Sequence, residues 1–210
     1  MRFPGQGASS TIRQFALGIA VTLVVMAPGG ALPRALAASA EPLLNQLSDR
    51  LLLRESLSGQ FRQYKHLPFL EQPFESSGHF ALDDAGGLRW QVEQPMPSLM
   101  LVRDDSVTLD GKPVKDRGTG QLITLIMRGF MVGELDGLLR YFSVSGDLDR
   151  TPWVLELKPT GRLSAVIRGV TLQGDTYLQR IEILEPESAQ TVIEFCDVHP
   201  GATPQDAVED

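Results

Sequence analysis

The chain has 210 residues, 26 acids against 19 bases for a net charge of −7, and one cysteine, Cys196. A lone cysteine excludes an internal disulfide, so the fold must stand on its hydrophobic core. The acidic balance argues against a nucleic-acid partner, because neutralising phosphates needs clustered Lys and Arg.

The first forty residues differ from the rest. They hold Arg2, Arg13 and Arg34 and no acid. Phe15 to Ala27 is an apolar run of about a dozen residues, short of the roughly 20 needed to span a bilayer as a helix. A basic start, a short apolar middle and small residues after it form the pattern of a cleaved secretory signal. Ala35-Leu36-Ala37 and Ala38-Ser39-Ala40 both offer small-x-small cleavage sites, and cleavage after Ala40 is expected. The competing reading is a membrane anchor. Without residues 1–40 the chain carries sixteen bases against 26 acids, a net −10. Residues 41–199 suit one exported domain with a sizeable core. Residues 200–210 are small and acidic, a composition that favours disorder.

Glu41 to Glu55 carries Leu43, Leu44, Leu47, Leu51 and Leu52 at three- and four-residue spacing, which predicts an amphipathic helix. Gly59 to Leu67 then reads as a strand ended by Pro68. Phe69 to Phe74 is a connection with two phenylalanines. Glu75 to Leu82 is a second strand, containing Gly78, and Asp83 to Gly87 a turn. In Gly87 to Gly111, Leu88, Trp90 and Val92 alternate with Arg89, Gln91 and Glu93, the two-residue period of a half-buried strand. Pro95 and Pro97 break that run. Ser98 to Arg103 and Ser106 to Leu109 are further strands, with Asp104-Asp105 and Asp110-Gly111 as turns. This is a β-meander with one apolar face.

Lys112 to Gly118 reads as a polar loop. Thr119 is a candidate cap for a second helix, in which Leu122, Ile123, Leu125, Ile126, Met127, Phe130 and Met131 are apolar on more than one side, as in a buried helix. Gly129, Gly133 and Gly137 weaken this segment, and a third helical piece is expected over Glu134 to Tyr141. Five strands follow, over Phe142 to Leu148, Trp153 to Lys158, Leu163 to Leu172, Tyr177 to Leu184 and Thr191 to Val198. Their spacing is that of an antiparallel barrel or sandwich. Trp153, Leu155 and Leu157 share a face, as do Ile181 and Ile183. The apolar neighbours of Cys196 suggest a buried, inert thiol.

No Gly-x-Ser-x-Gly elbow and no glycine-rich phosphate loop is present. His66, His79 and His199 are scattered, without metal-ligand spacing. Adjacent Asp104 and Asp105 would point opposite ways on a strand, and Asp147 and Asp149 border a loop. The residues make no case for an enzyme, a metal or a cofactor. What they do predict is a sheet curled round a helical plug. Larger barrels enclose ligand cavities, and ligand pockets are mostly apolar. Such a protein suits lipid carriage, because each CH₂ hidden from water is worth about 0.8 kcal/mol. The alternative is a sensor or scaffold that uses the same half-barrel to bind a protein partner.

Several segments also resemble the periplasmic lipoprotein carrier family, LolA. They are the N-terminal helix, Ser58-Gly59-Gln60-Phe61-Arg62-Gln63, Gly78-His79-Phe80, Leu88 to Pro95 with Leu101-Val102-Arg103-Asp104, a central helical insertion, and Trp153 to Pro159. The resemblance covers roughly Glu41 to Val198. It implies a mostly β fold, an incomplete antiparallel barrel of about eleven strands with an N-terminal amphipathic helix and a helical lid. It implies a monomer that carries acyl chains of a lipoprotein or other lipid, with an inner-membrane release complex or exporter as donor and an outer-membrane acceptor. It would place Leu88, Trp90, Val92, Leu99 and Leu101 on the concave face and Leu122, Ile126 and Phe130 in the lid. Phe61, Phe80, Trp153, Leu155 and Leu157 complete the candidate lipid-contacting set. Family members carry an Arg-Pro pair before the tryptophan strand, whose arginine holds the lid closed; here Asp84-Ala85 stands in its place. Divergent relatives look like companions of lipid or polyene exporters.

Overall fold

The computed structural model describes residues 43, 46, 56–83, 87–103, 106–114, 125, 126 and 135–201. The predicted signal, most of the predicted first helix, most of 115–134 and the acidic tail lie outside the described residues. Of the first helix, Leu43 and Gln46 are described, and both are helical.

Eleven antiparallel strands form one sheet. They are β1 (Leu57–His66), β2 (Phe74–Leu82), β3 (Leu88–Gln94), β4 (Ser98–Arg103), β5 (Ser106–Leu109), β6 (Lys112–Pro113), β7 (Phe142–Asp147), β8 (Trp153–Pro159), β9 (Gly169–Gly174), β10 (Leu178–Leu184) and β11 (Gln190–Pro200). The order across the sheet is β6-β5-β4-β3-β2-β1-β11-β10-β9-β8-β7. Every neighbour is also a sequence neighbour except β1 and β11. Two meanders therefore grow outward from one long-range pairing, in which Phe61 meets Phe195 and Lys65 meets Thr191. The sheet does not close: β6 and β7 are its two free edges, an incomplete barrel. The connection between those edges is residues 114–141. Within it, Leu125 and Ile126 are helical, and α1 (Leu135–Leu139) is a short helix ending at β7.

Alternation decides which side chains share a face. On β3, Leu88, Trp90 and Val92 are buried, and the register carries that face sideways through Leu82, Phe80 and Gly78 of β2 to Leu57, Gly59 and Phe61 of β1. It continues through Phe195 and Ile193, Ile181 and Ile183, Leu172 and Val170, Leu155 and Leu157 to Val144 on β7. This concave face is the core. Ile126 and Leu138 are buried in it, with Leu43, Val114, Leu125, Leu139, Leu163 and Val166 packed against it.

Two local geometries set the shape. Asp110 and Gly111 both have positive φ, 49° and 73°, as a two-residue hairpin turn of the I′ kind requires. At Gly78 the β2–β3 register shifts, and a Cβ there would lie 1.9 Å from the Gln91 carbonyl oxygen. Only glycine lets the strands approach so closely. Beside it on the concave face Phe61 stacks on Trp90, ring centroids 3.8 Å apart.

Three expectations need correction. Lys112 and Pro113 form an edge strand rather than part of a loop; Pro113 is tolerated because an edge position needs no ladder donor. The strand expected over Leu163 to Leu172 starts only at Gly169. Gly161 to Ala165 is a 3-10 turn, because Leu163, Val166 and Ile167 recur at helical spacing and turn inward, leaving Ile167 fully buried. Cys196 is exposed, because it follows inward-facing Phe195 by one residue and so pairs with Gln60 on the outer face.

Candidate functional site: an apolar concave face under a connecting cover

Of the residues picked out as lipid-contacting, Phe61, Phe80, Leu88, Trp90, Val92, Trp153, Leu155 and Leu157 all lie on the concave face and are buried. Ile126 is fully buried against the same core. Leu122 and Phe130 lie outside the described residues. Leu99 and Leu101 are misplaced by one register. They pair with Gln91 and Arg89 and so face outward, while Met100 and Val102, opposite Trp90 and Leu88, face in. Arg103 carried the signal: it is exposed and shares a side with Leu101 and Leu99. A one-residue slip moves every side chain of a strand to the other face.

The centre of the face is aromatic. Trp90 stacks on Phe61 and meets Phe195 edge-on, centroids 6.3 Å apart at 89°. Phe80 meets Phe195 edge-on at 5.3 Å. Such offset and edge-to-face contacts favour fixed positions beyond simple burial.

One end of the face is polar, a feature that sequence reasoning missed. Gln63, Lys65, Ser76 and Thr191 are all buried. Gln63 and Lys65 follow Phe61 at two-residue steps, so the strand period places them inside. The Lys65 ammonium pairs with the Glu185 carboxylate, and the Thr191 hydroxyl donates to the same Glu185 oxygen at 3.0 Å. The Oγ atoms of Ser76 and Ser98 are buried with no hydrogen-bond partner. An orphaned buried hydroxyl costs free energy unless some further group satisfies it. These residues sit where β1 ends and β2, β4 and β11 begin, which the antiparallel pairing puts at one end of the sheet.

At that same end, a cavity of about 220 Å³ is lined by Met96, Pro97, Ser98, Leu109, Asp110, Lys112, Pro113 and Val114. It lies where the β5–β6 hairpin passes into the cover, with Val114 donating its N–H to the Val107 carbonyl at 2.9 Å. Ligand pockets typically run to about 300–1,000 Å³, so this space is smaller than a typical ligand site. The outer face is polar: Arg180 pairs with Glu194 at 2.5 Å and with Glu182 at 3.7 Å. Among the described residues, no group of three His, Cys, Asp or Glu side chains could hold a metal ion. No described helix is long and apolar enough to cross a membrane.

No protein-family model matches the chain, and no curated protein matches it. Similar solved structures include the LolA superfamily protein NE2245 from Nitrosomonas europaea, at 12% identity and TM-score 0.46, covering 81% of this chain and 97% of that one. The Pseudomonas aeruginosa MucA/MucB complex is similar at 15% identity and TM-score 0.43, covering 80% of this chain and 60% of that one. A putative outer membrane lipoprotein-sorting protein domain from Vibrio parahaemolyticus is similar at 11% identity and TM-score 0.33, covering 79% of this chain and 94% of that one.

Proposed function

We propose that this chain is an exported carrier for an acyl-chain amphiphile, a lipoprotein or another lipid, which it moves from an inner-membrane donor to an outer-membrane acceptor. The observation that carries the reading is one apolar face across an unclosed eleven-stranded sheet, with Ile126 and Leu138 of the segment that joins its two edges buried against it. A closed barrel would need no such cover, and a simple core would need no seam. Ile126 and Leu138, from the connecting segment, are buried in the core of the concave face. A guest enters by replacing them: hydrocarbon exchanges for hydrocarbon, and the aromatic floor stays in place. The buried polar end, with the unsatisfied hydroxyls of Ser76 and Ser98, suits the head or linker of an amphiphile whose chains lie deeper.

The filled interior also favours a second reading, in which the same half-barrel binds a protein partner and never opens. Native mass spectrometry of the protein recovered after export separates the two. A carrier arrives with lipid mass attached and takes up a fluorescent fatty acid once stripped. Protein that arrives bare and takes up no fatty acid at micromolar concentration sinks the carrier reading and leaves partner binding.

A further inference from the structure

Four large hydrophobic side chains are exposed among the described residues: Phe69 at 76%, Leu70 at 47%, Tyr141 at 51% and Leu184 at 43%. Isolated exposed apolar residues are ordinary, but these are not scattered. Phe69 and Leu70 form the tip of the β1–β2 hairpin, held in a turn by the Leu70 N–H bonding to the Leu67 carbonyl at 3.0 Å. Leu184 ends β10, and Tyr141 precedes β7. In the antiparallel order the end of β1, the end of β10 and the start of β7 all lie at one end of the sheet. Strands lie about 4.8 Å apart. The β1–β2 tip and Leu184 are therefore about 10 Å apart along the rim, with Tyr141 three strands further on.

The β7–β9 stretch of the same rim is basic. Arg140, Lys158, Arg162 and Arg168 are exposed there, and residues 137–146 and 157–174 contain no Asp or Glu. The same rim also carries exposed Glu71, Glu75, Asp110 and Glu187. The opposite rim carries Asp83, Asp147, Asp149 and Asp175 at its turns, with Arg103 and Arg150 beside them. The basic stretch from Arg140 to Arg168 therefore stands out in a chain of net charge −7.

We propose that this apolar and basic rim docks on an anionic phospholipid bilayer. The exposed hairpin tip suits a deformable acyl layer, whereas a protein partner would need a socket already shaped for it. Four cations along several strands, outside any groove, match a plane of phosphates. Juxtamembrane Lys and Arg are each attracted to such a surface, and apolar side chains entering the interface add to that attraction. This inference does not rest on the carrier reading, because a partner-binding half-barrel with the same rim would dock in the same way.

The test is flotation of the exported protein, in its secreted form, with two kinds of vesicle. One is phosphatidylethanolamine with phosphatidylglycerol at three to one; the other is phosphatidylcholine alone. The protein is expected to float with the anionic vesicles, and 0.5 M salt should weaken that binding. Phe69→Ser with Leu70→Ser should weaken it about tenfold or more, as should Arg162→Gln with Arg168→Gln. Asp147→Ser with Asp149→Ser, at the far rim, should leave it unchanged, and circular dichroism checks that each variant is folded. Equal flotation with both vesicles, folded rim variants that float like the parent, or no flotation at all overturns the proposal. Capture on immobilised poly-glutamate without flotation also overturns it, in favour of an acidic protein partner.

Discussion

Exchange of cover for guest makes a quantitative prediction at Ile126. That side chain is fully buried in the core formed by the concave face. Ile126→Ala removes three carbons. At about 0.8 kcal/mol per CH₂, with a cavity term added, the loss falls in the range of about 2–5 kcal/mol. If a guest displaces the cover, the loss falls on the empty form alone, because the loaded form has already given up that contact. Affinity for the guest then rises by whatever the empty form loses. At 1.4 kcal/mol per tenfold, and allowing for partial collapse round the smaller side chain, about a tenfold to hundredfold gain is expected. The assay is equilibrium titration of stripped protein with a fluorescent fatty acid, alongside urea denaturation of the empty protein. The expected pair of results is a lower urea midpoint and tighter fatty-acid binding. A folded Ile126→Ala protein that binds fatty acid as weakly as the parent, or more weakly, would show that the cover is a fixed part of the core and would refute the exchange.

Two further outcomes follow from single contacts. The Lys65 and Glu185 side chains are only 9% and 12% exposed. Lys65→Met should therefore cost about 3–5 kcal/mol by stranding the Glu185 charge, while Lys65→Met with Glu185→Gln should recover most of that loss; urea denaturation of the single and double variants checks both. Gly78→Ala should abolish folding or lower the melting temperature sharply, because its Cβ would meet the Gln91 carbonyl oxygen at 1.9 Å. Gly111→Ala, with nothing within 4 Å, should cost only about 1 kcal/mol through its positive φ, so the order of the two melting temperatures is the measurement.

The sequence made the strands legible wherever one face is wet. Leu88, Trp90 and Val92 alternate cleanly with Arg89, Gln91 and Glu93, and both their strand and their face hold. Ser98 to Arg103 is apolar on both sides but for Arg103 at its end, so a single residue marks the outward face, that of Leu99 and Leu101, and Met100 and Val102 face in. Leu163, Val166 and Ile167 have helical spacing inside a stretch that also reads as strand, and the inward turn won because it buries Ile167. The polar end was hidden for a different reason. Gln63 and Lys65 look like solvent-facing residues in a linear reading, and only their step from Phe61 puts them inside, with Glu185 arriving from 120 positions away. The strand order was equally out of local reach, since it depends on β1 meeting β11 across almost the whole described chain.

On the carrier reading, that strand order also points to where a guest would enter. The described residues of the cover add no strand to the sheet, and β6 and β7 do not pair. Its two attachments are unequal. On one side α1 leads into β7, a six-residue strand paired with β8 from Phe142 to Asp147. On the other, Val114 follows β6, two residues long, held to β5 at Thr108 and Leu109 and containing a proline with no N–H to donate. Among the described residues, the Val114 to Val107 hydrogen bond and apolar contact follow. Among those residues the β6 attachment is the weaker, and the 220 Å³ cavity lies beside it. Opening at that edge would expose Leu109, Met100 and then Trp90, a path that runs from the unsatisfied Ser98 hydroxyl inward to the aromatic floor.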